Sequence, residues 1–183
     1  MPESRVTESQ GSSQVVTFET TISVDGVTGM EVFDFLADPD DESYRAWWPG
    51  THLEFHTVAR GEDHVGDVVY MDEYVGKRRL RMSAIVTEAV PGKRLVWQLK
   101  KGISLPARLS LELDDHDGGV TIRHTTRAGF RGVGQVMDPA LRLLMSGGFA
   151  EDLDQHVRTE FPLLRDLLGN RRVAPAGAAP PPD

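Results

Sequence analysis

The sequence predicts an α+β domain: about seven antiparallel strands, with two short helices after the first of them, packed on a long C-terminal helix. Three observations predict this. Residues 16–24 alternate apolar and polar before helix signals begin, residues 51–130 repeat short alternating segments between turn signals, and one apolar stripe at helical spacing runs to Leu168.

The first strand carries Val16, Phe18, Thr20, Ile22 and Val24 on one parity and Thr17, Glu19, Thr21 and Ser23 on the other, the period-2 pattern of a half-buried strand. Thr28-Gly-Met-Glu31 then reads as a capping box ahead of Met30, Val32, Phe33 and Leu36, and Asp38-Pro39 ends that helix. A second short helix over 41–48 puts Tyr44 and Trp48 on one face before Pro49-Gly50 turns the chain. Turn signals at 60–63, 75–77, 91–93, 103–106 and 114–119 divide the next stretch into a meander. Its apolar sets are Leu80, Met82, Ala84 and Val86; Leu95, Trp97 and Leu99; Leu109, Leu111 and Leu113; and Val120 with Ile122. Arg79, Arg81, Arg108, Glu112 and Arg123 fall on the opposite, wet parity. Asp138-Pro139 starts the last helix, expected over 138–168 with a bend or break at Gly147-Gly148 and at Pro162. Its stripe, Met145, Phe149, Leu153, Val157, Phe161, Leu164 and Leu168, must bury against the sheet.

Length fits one domain: 183 residues, expected to fold over 15–170 between a disordered N-terminus, 1–14, and a disordered Ala/Pro tail, 171–183. The absence of cysteine excludes thiol catalysis, thiolate metal sites and disulfides, and suits a reducing compartment. A net charge of −8 argues against a nucleic-acid partner. No run suits a membrane span and residues 1–10 lack signal-peptide features, so a cytoplasmic protein is expected.

Phe18 to Ile22 leading into the Thr28 helix, Trp48-Pro49 before the next strand, and the segment Val86-Thr-Glu-Ala-Val-Pro-Gly-Lys-Arg-Leu-Val-Trp97 together resemble the SRPBCC superfamily. This is the helix-grip group of START-like, plant pollen-allergen-like and polyketide cyclase or dehydrase-like proteins, and the resemblance covers about residues 15–168. It implies a curved sheet gripping the last helix around an apolar cavity. The implied function is binding of a small hydrophobic molecule, lipid-, polyketide- or aromatic-like. Cyclisation or dehydration chemistry is the alternative, and a partner-binding module without ligand is the second alternative. The fold alone does not choose among them.

Strand parity places His124 inward with Ile122, and His156 and Glu160 are i, i+4 neighbours beside the last stripe; these three are the catalytic candidates if the protein is an enzyme. The expected ligand wall comprises Trp48, Tyr70, Tyr74, Met82, Trp97, Leu111, Ile122, His124, Met145, Phe149 and Leu153. Parity leaves open whether Tyr70 and Tyr74 or Val69, Met71 and Glu73 face inward. The bland readings are hydrogen-bonded structural histidines, tyrosines packed on the outer face, and Tyr44, Trp47 and Trp48 packed under the sheet edge rather than gating a ligand. His52 and His56, read as sharing a strand face about 13 Å apart, are too far apart for one metal ion. No metal or cofactor motif is found, so neither is expected. A small hydrophobic ligand and a second copy of the chain, in a homodimer, are the partners to test.

Overall fold

The computed structural model describes residues 4–8, 16–101, 103–129 and 148–173. Eight antiparallel strands form one sheet: β1 Ser4–Glu8, β2 Val16–Asp25, β3 His52–Ala59, β4 Val68–Val75, β5 Arg78–Val90, β6 Arg94–Lys101, β7 Ile103–His116 and β8 Gly119–Ala128. Their spatial order is β1-β2-β8-β7-β6-β5-β4-β3. Six of these strands form a hairpin meander, as the turn signals require, and β2 pairs with β8 at its far side. The connection from β2 to β3 therefore spans the sheet, and it contains helices α1 Gly29–Ala37 and α2 Asp41–Trp47. Register shifts between His52 and Glu54, Thr57 and Ala59, Val86 and Glu88, and Gln98 and Lys100 bend these strands and curve the sheet.

Local chemistry starts the helices as the sequence indicated. The Thr28 hydroxyl accepts from the Glu31 amide at 3.3 Å, while the Thr28 amide donates to Glu31 Oε2 at 2.9 Å, completing the capping box. Asp40 caps α2 by accepting from the Ser43 amide at 2.8 Å. Gly29 is required by close approach: a Cβ there would sit 2.5 Å from the Gly92 carbonyl oxygen of the β5–β6 turn, on which α1 docks.

Helix α3, Phe149–Val173, lies on the concave face. Val157, Phe161 and Leu164 are buried in one cluster with Val24, Leu95, Trp97, Leu111, Val120 and Ile122 from the sheet. From Phe149 to Leu168 the expected stripe is thus the one that packs, because the layer between helix and sheet removes both apolar faces from water.

Four expectations need correction or narrowing. Residues 4–8, expected to be disordered, pair with 16–20 as edge strand β1, since β2 would otherwise leave a row of amides and carbonyls unpaired. The turn expected at 103–106 is absent: β7 already begins at Ile103, which pairs with Lys101 of β6. Gly148, at φ +81°, stands outside the helical conformation immediately before α3, Gly147 lies outside the described residues, and the helical run continues through Pro162 without the expected break. Residues 171–173 belong to α3, where Arg171 donates to the Ser43 hydroxyl at 2.6 Å and Arg172 pairs with Glu31. The expected helical start at Asp138 and residues 174–183 lie outside the described residues.

Leu95 is fully buried between the sheet and α3, so Leu95→Ala should cost about 2–5 kcal/mol in chemical denaturation, the range for a large-to-small change in a packed core. On the opposite face, Arg79 donates from Nε and Nη2 to the two Asp72 oxygens at 2.8 and 2.7 Å, and Arg81 Nε donates at 3.1 Å. These hydrogen bonds and charges hold the Asp72 carboxyl below its ordinary 3.8. A carboxyl lowered in the folded state contributes stability above its unfolded pKa and loses it as pH falls through the folded one. Acid titration of stability in Asp72→Asn should accordingly show a shallower loss below pH 3.8 than in the parent chain.

Candidate functional site

A partly open cavity of about 230 Å³ lies between the sheet and α3, with walls that are almost wholly apolar. Of the expected wall residues, Met82, Trp97, Leu111, His124, Phe149 and Leu153 line it. Ile122 is buried in the dry core beside it, not on its wall. Met145 lies outside the described residues. Trp48 does not line the cavity but packs against His156 with ring centroids 4.9 Å apart, and its neighbour Trp47 takes the place on the wall. Because consecutive side chains on or near a short helix end diverge by about 100°, only one of the two can face in.

β4 resolves the parity left open by the sequence. Val69, Met71, Glu73 and Val75 face the cavity, so Tyr70 and Tyr74, expected as ligand wall, project from the outer face and do not line it. Tyr70 sits against His56 there, with ring centroids 5.5 Å apart, and the Arg79 guanidinium lies over Tyr74 at 5.9 Å.

One end of the cavity holds a group of buried polar side chains drawn from four elements. His156 and Glu160 come from α3, as the i, i+4 spacing indicated, with His156 Nε2 3.4 Å from Glu160 Oε2. Glu73 of β4 approaches the same imidazole nitrogen at 3.7 Å. His52 of β3 completes the group, its Nε2 3.7 Å from Glu160 and 3.9 Å from Glu73. Tyr44 of α2 donates its hydroxyl to Glu73 Oε2 at 2.5 Å and stacks its ring on His52 at 4.1 Å. Trp47 Nε1 donates to the Glu160 carbonyl at 2.5 Å, fastening α2 to α3. His124 lines the cavity nearby, close enough for Glu160 to act on its charge.

The electrostatics follow from burial first and partners second. Burial pushes His52 down to about 4, only partly offset by Glu160, so His52 is neutral at pH 7. His124 is lowered for the same reason. Burial also disfavours the charged form of His156, but Glu160 and Glu73 beside it outweigh that and raise it to about 9. Glu160 falls below its ordinary value despite burial, because His156, and more weakly His52 and His124, favour the carboxylate. Glu73, whose burial dominates, is raised. The cluster thus holds an imidazole raised by its carboxylate partners beside a carboxyl lowered by that imidazole, with a second carboxyl, Glu73, raised by burial at the same wall.

Residue reasoning missed His52 as a site member, left the face of Glu73 open, and weighed Tyr44 only as packing or as a gate. Glu73 was legible, being the one acidic residue on the otherwise apolar parity Val69, Met71 and Val75. His52 was not: the register shift at Leu53 turns His52 inward and leaves His56 outward on Asp41, so the two do not share a face.

No protein-family model matches the sequence, and no curated protein sequence matches it. Solved structures do. A protein of unknown function from Staphylococcus aureus superposes with a TM-score of 0.57 at 9% identity, over 87% of this chain and 97% of the other. The major latex-like protein 151 of Panax ginseng gives 0.53 at 9% identity, over 78% and 97%. The di-domain ARO/CYC protein StfQ of the steffimycin biosynthetic pathway gives 0.53 at 16% identity, over 86% of this chain and 52% of StfQ. The chain shares the fold of these structures, a curved antiparallel sheet gripping a long C-terminal helix. In helix-grip terms, the gripped helix is α3, the gripping face is β2 to β8, and the cavity lies between them. Among the described residues no helix is long and apolar enough to cross a membrane.

Tyr44→Phe removes the hydroxyl that donates to the buried Glu73 carboxyl. Leaving that carboxyl with one partner fewer should cost about 1–3 kcal/mol, measured by urea denaturation at neutral pH.

Proposed function

We propose that this protein binds a small hydrophobic molecule in the cavity between the sheet and α3. The observation that carries the reading is the wall itself. Met71, Met82, Leu99, Leu109, Leu153 and Phe149 present apolar surface to a space that tight packing would normally eliminate, while His124, Glu73 and Glu160 confine polarity to a few positions. A lipid-, polyketide- or aromatic-like compound fits such a lining, because it gains from leaving water and can orient a single polar group on the few that the wall offers. The two methionines are unbranched and flexible, which suits a wall that adjusts to its ligand.

A second reading is acid–base catalysis of the cyclisation or dehydration type, with His124, His156 and Glu160 as the reacting groups. It is favoured by one observation: Glu160 lies on the cavity wall with His156 3.4 Å behind it and His124 facing the same space. In that reading Glu160 contacts the substrate and His156 controls its protonation.

Native mass spectrometry of the purified chain should show a retained small molecule, released on denaturation, and the same spectra count chains per particle and so test the homodimer. Leu109→Trp should fill the cavity and abolish retention while the melting temperature changes little; unchanged retention would place the ligand elsewhere. His124→Gln separates the two readings. A binder should lose about 1 kcal/mol of affinity, whereas an enzyme should lose about 10²–10⁴ in rate with affinity nearly intact.

A further inference from the structure

We propose that His52, His156, Glu160 and Glu73 form a binding site for one divalent transition-metal ion, of which zinc is the type. The ligand-capable atoms of His52, His156 and Glu160 lie within 4.8 Å of one another, and Glu73 Oε2 is 3.9 and 3.7 Å from the Nε2 atoms of the two histidines. A tetrahedral ion with bonds of about 2.0–2.1 Å needs donors about 3.3 Å apart. The pairs at 3.4, 3.7, 3.7 and 3.9 Å therefore need to contract by only a few tenths of an ångström, within reach of side-chain rotation.

Three further features point the same way. First, all four residues are 8% exposed or less, and both nitrogens of His52 and Nε2 of His156 make no hydrogen bond among the described residues, His156 Nε2 standing only in its ion pairs with Glu160 and Glu73. Buried ring nitrogens normally find one, so these are groups built for something that completes them. Second, two carboxylates match the charge of a divalent cation, and two imidazoles supply the borderline donors that transition metals prefer over calcium or magnesium. Third, the carboxylates are oriented from behind. Tyr44 donates to Glu73 Oε2, and Trp47 holds the Glu160 turn of α3 through its carbonyl, the role that outer-shell hydrogen bonds play around metal ligands.

A second group, Asp41, Glu54 and His56, also clusters, but it offers one histidine and its Asp41 carboxylate is already used. Asp41 Oδ1 takes the Phe55 amide at 2.9 Å and His56 Nδ1 at 2.8 Å, so that group is satisfied as it stands. The buried site differs from the sequence expectation of no metal because its donors come from β3, β4 and α3, which no spacing rule connects. Glu73 and Glu160 also line the cavity, so the ion would sit at its wall whichever molecule occupies it.

The experiment uses the full chain, stripped with a chelator and titrated with zinc chloride in a calorimeter, both folded and refolded in the presence of zinc. One equivalent should bind and raise the melting temperature. X-ray absorption on the zinc-loaded wild-type chain should count two histidine nitrogens, a number that the outer group with its single histidine does not supply. His156→Gln and Glu160→Gln should each weaken binding by more than about 100-fold, while His56→Gln leaves it unchanged. Where a cluster variant fails to fold, the histidine count on the wild-type chain still decides. No zinc binding under either loading condition, a single histidine in the absorption spectrum, or loss of binding in His56→Gln would each overturn the site.

Discussion

Glu73 and Glu160 place two carboxyl groups side by side in an interior that is otherwise almost entirely apolar, and the arrangement of the elements around them follows from having to neutralise them. An unpaired buried charge is costly enough that no domain of this size carries it uncompensated. The compensation comes from every side. His156 lies one turn away on the same helix, His52 is supplied by β3, and Tyr44 reaches Glu73 from α2. The polar cluster therefore ties α2, β3, β4 and α3 together, with direction and register that dispersion forces among leucines and valines do not enforce.

That tie also explains why α2 sits where it does. Its own sequence makes only a short amphipathic turn, too short to be stable in isolation. Trp47 gives it an anchor on α3 through a hydrogen bond to the Glu160 carbonyl, and the Tyr44 ring lies flat on His52 at an interplanar angle of 6°. The aromatic group Tyr44, Trp47, Trp48 and Phe55 thereby forms a lid of rings over the polar cluster at one end, while the cavity beyond it stays lined by methionine, leucine and phenylalanine. Apolar volume and chemically competent groups consequently meet at a single wall, the combination on which both the binding and the catalytic readings draw.

The outer face obeys a different rule. Asp72 is buried beneath Arg79 and Arg81, and Arg94, Glu112 and Arg123 form a ladder of cross-strand pairs in which Glu112 accepts from both arginines at 3.0 and 2.8 Å. Exposed pairs of this kind contribute little each, but they keep the wet parity wet and so fix which face each strand turns to the helix.

Read alone, the sequence determined the class of fold, the meander and the capping box of α1, because these rest on period, turn residues and short-range hydrogen bonds that any window of the chain contains. It also determined that Leu95, Trp97, Leu111 and Ile122 share the inner parity, and that His156 and Glu160 are neighbours on one helix. Only the tertiary structure decided the rest. It chose the inner face of β4, which sends Tyr70 and Tyr74 to the solvent side and Glu73 to the cavity, because the pairing of β4 between β3 and β5 fixes that choice and local alternation does not. It turned His52 inward through a one-residue register shift at Leu53, and it paired residues 4–8 onto β2, since a lone edge of amides seeks a partner wherever the chain can supply one. The polar cluster was legible only in part because its members lie up to 116 residues apart between Tyr44 and Glu160, and their meeting is set by how the helices and strands pack, a quantity no local pattern carries.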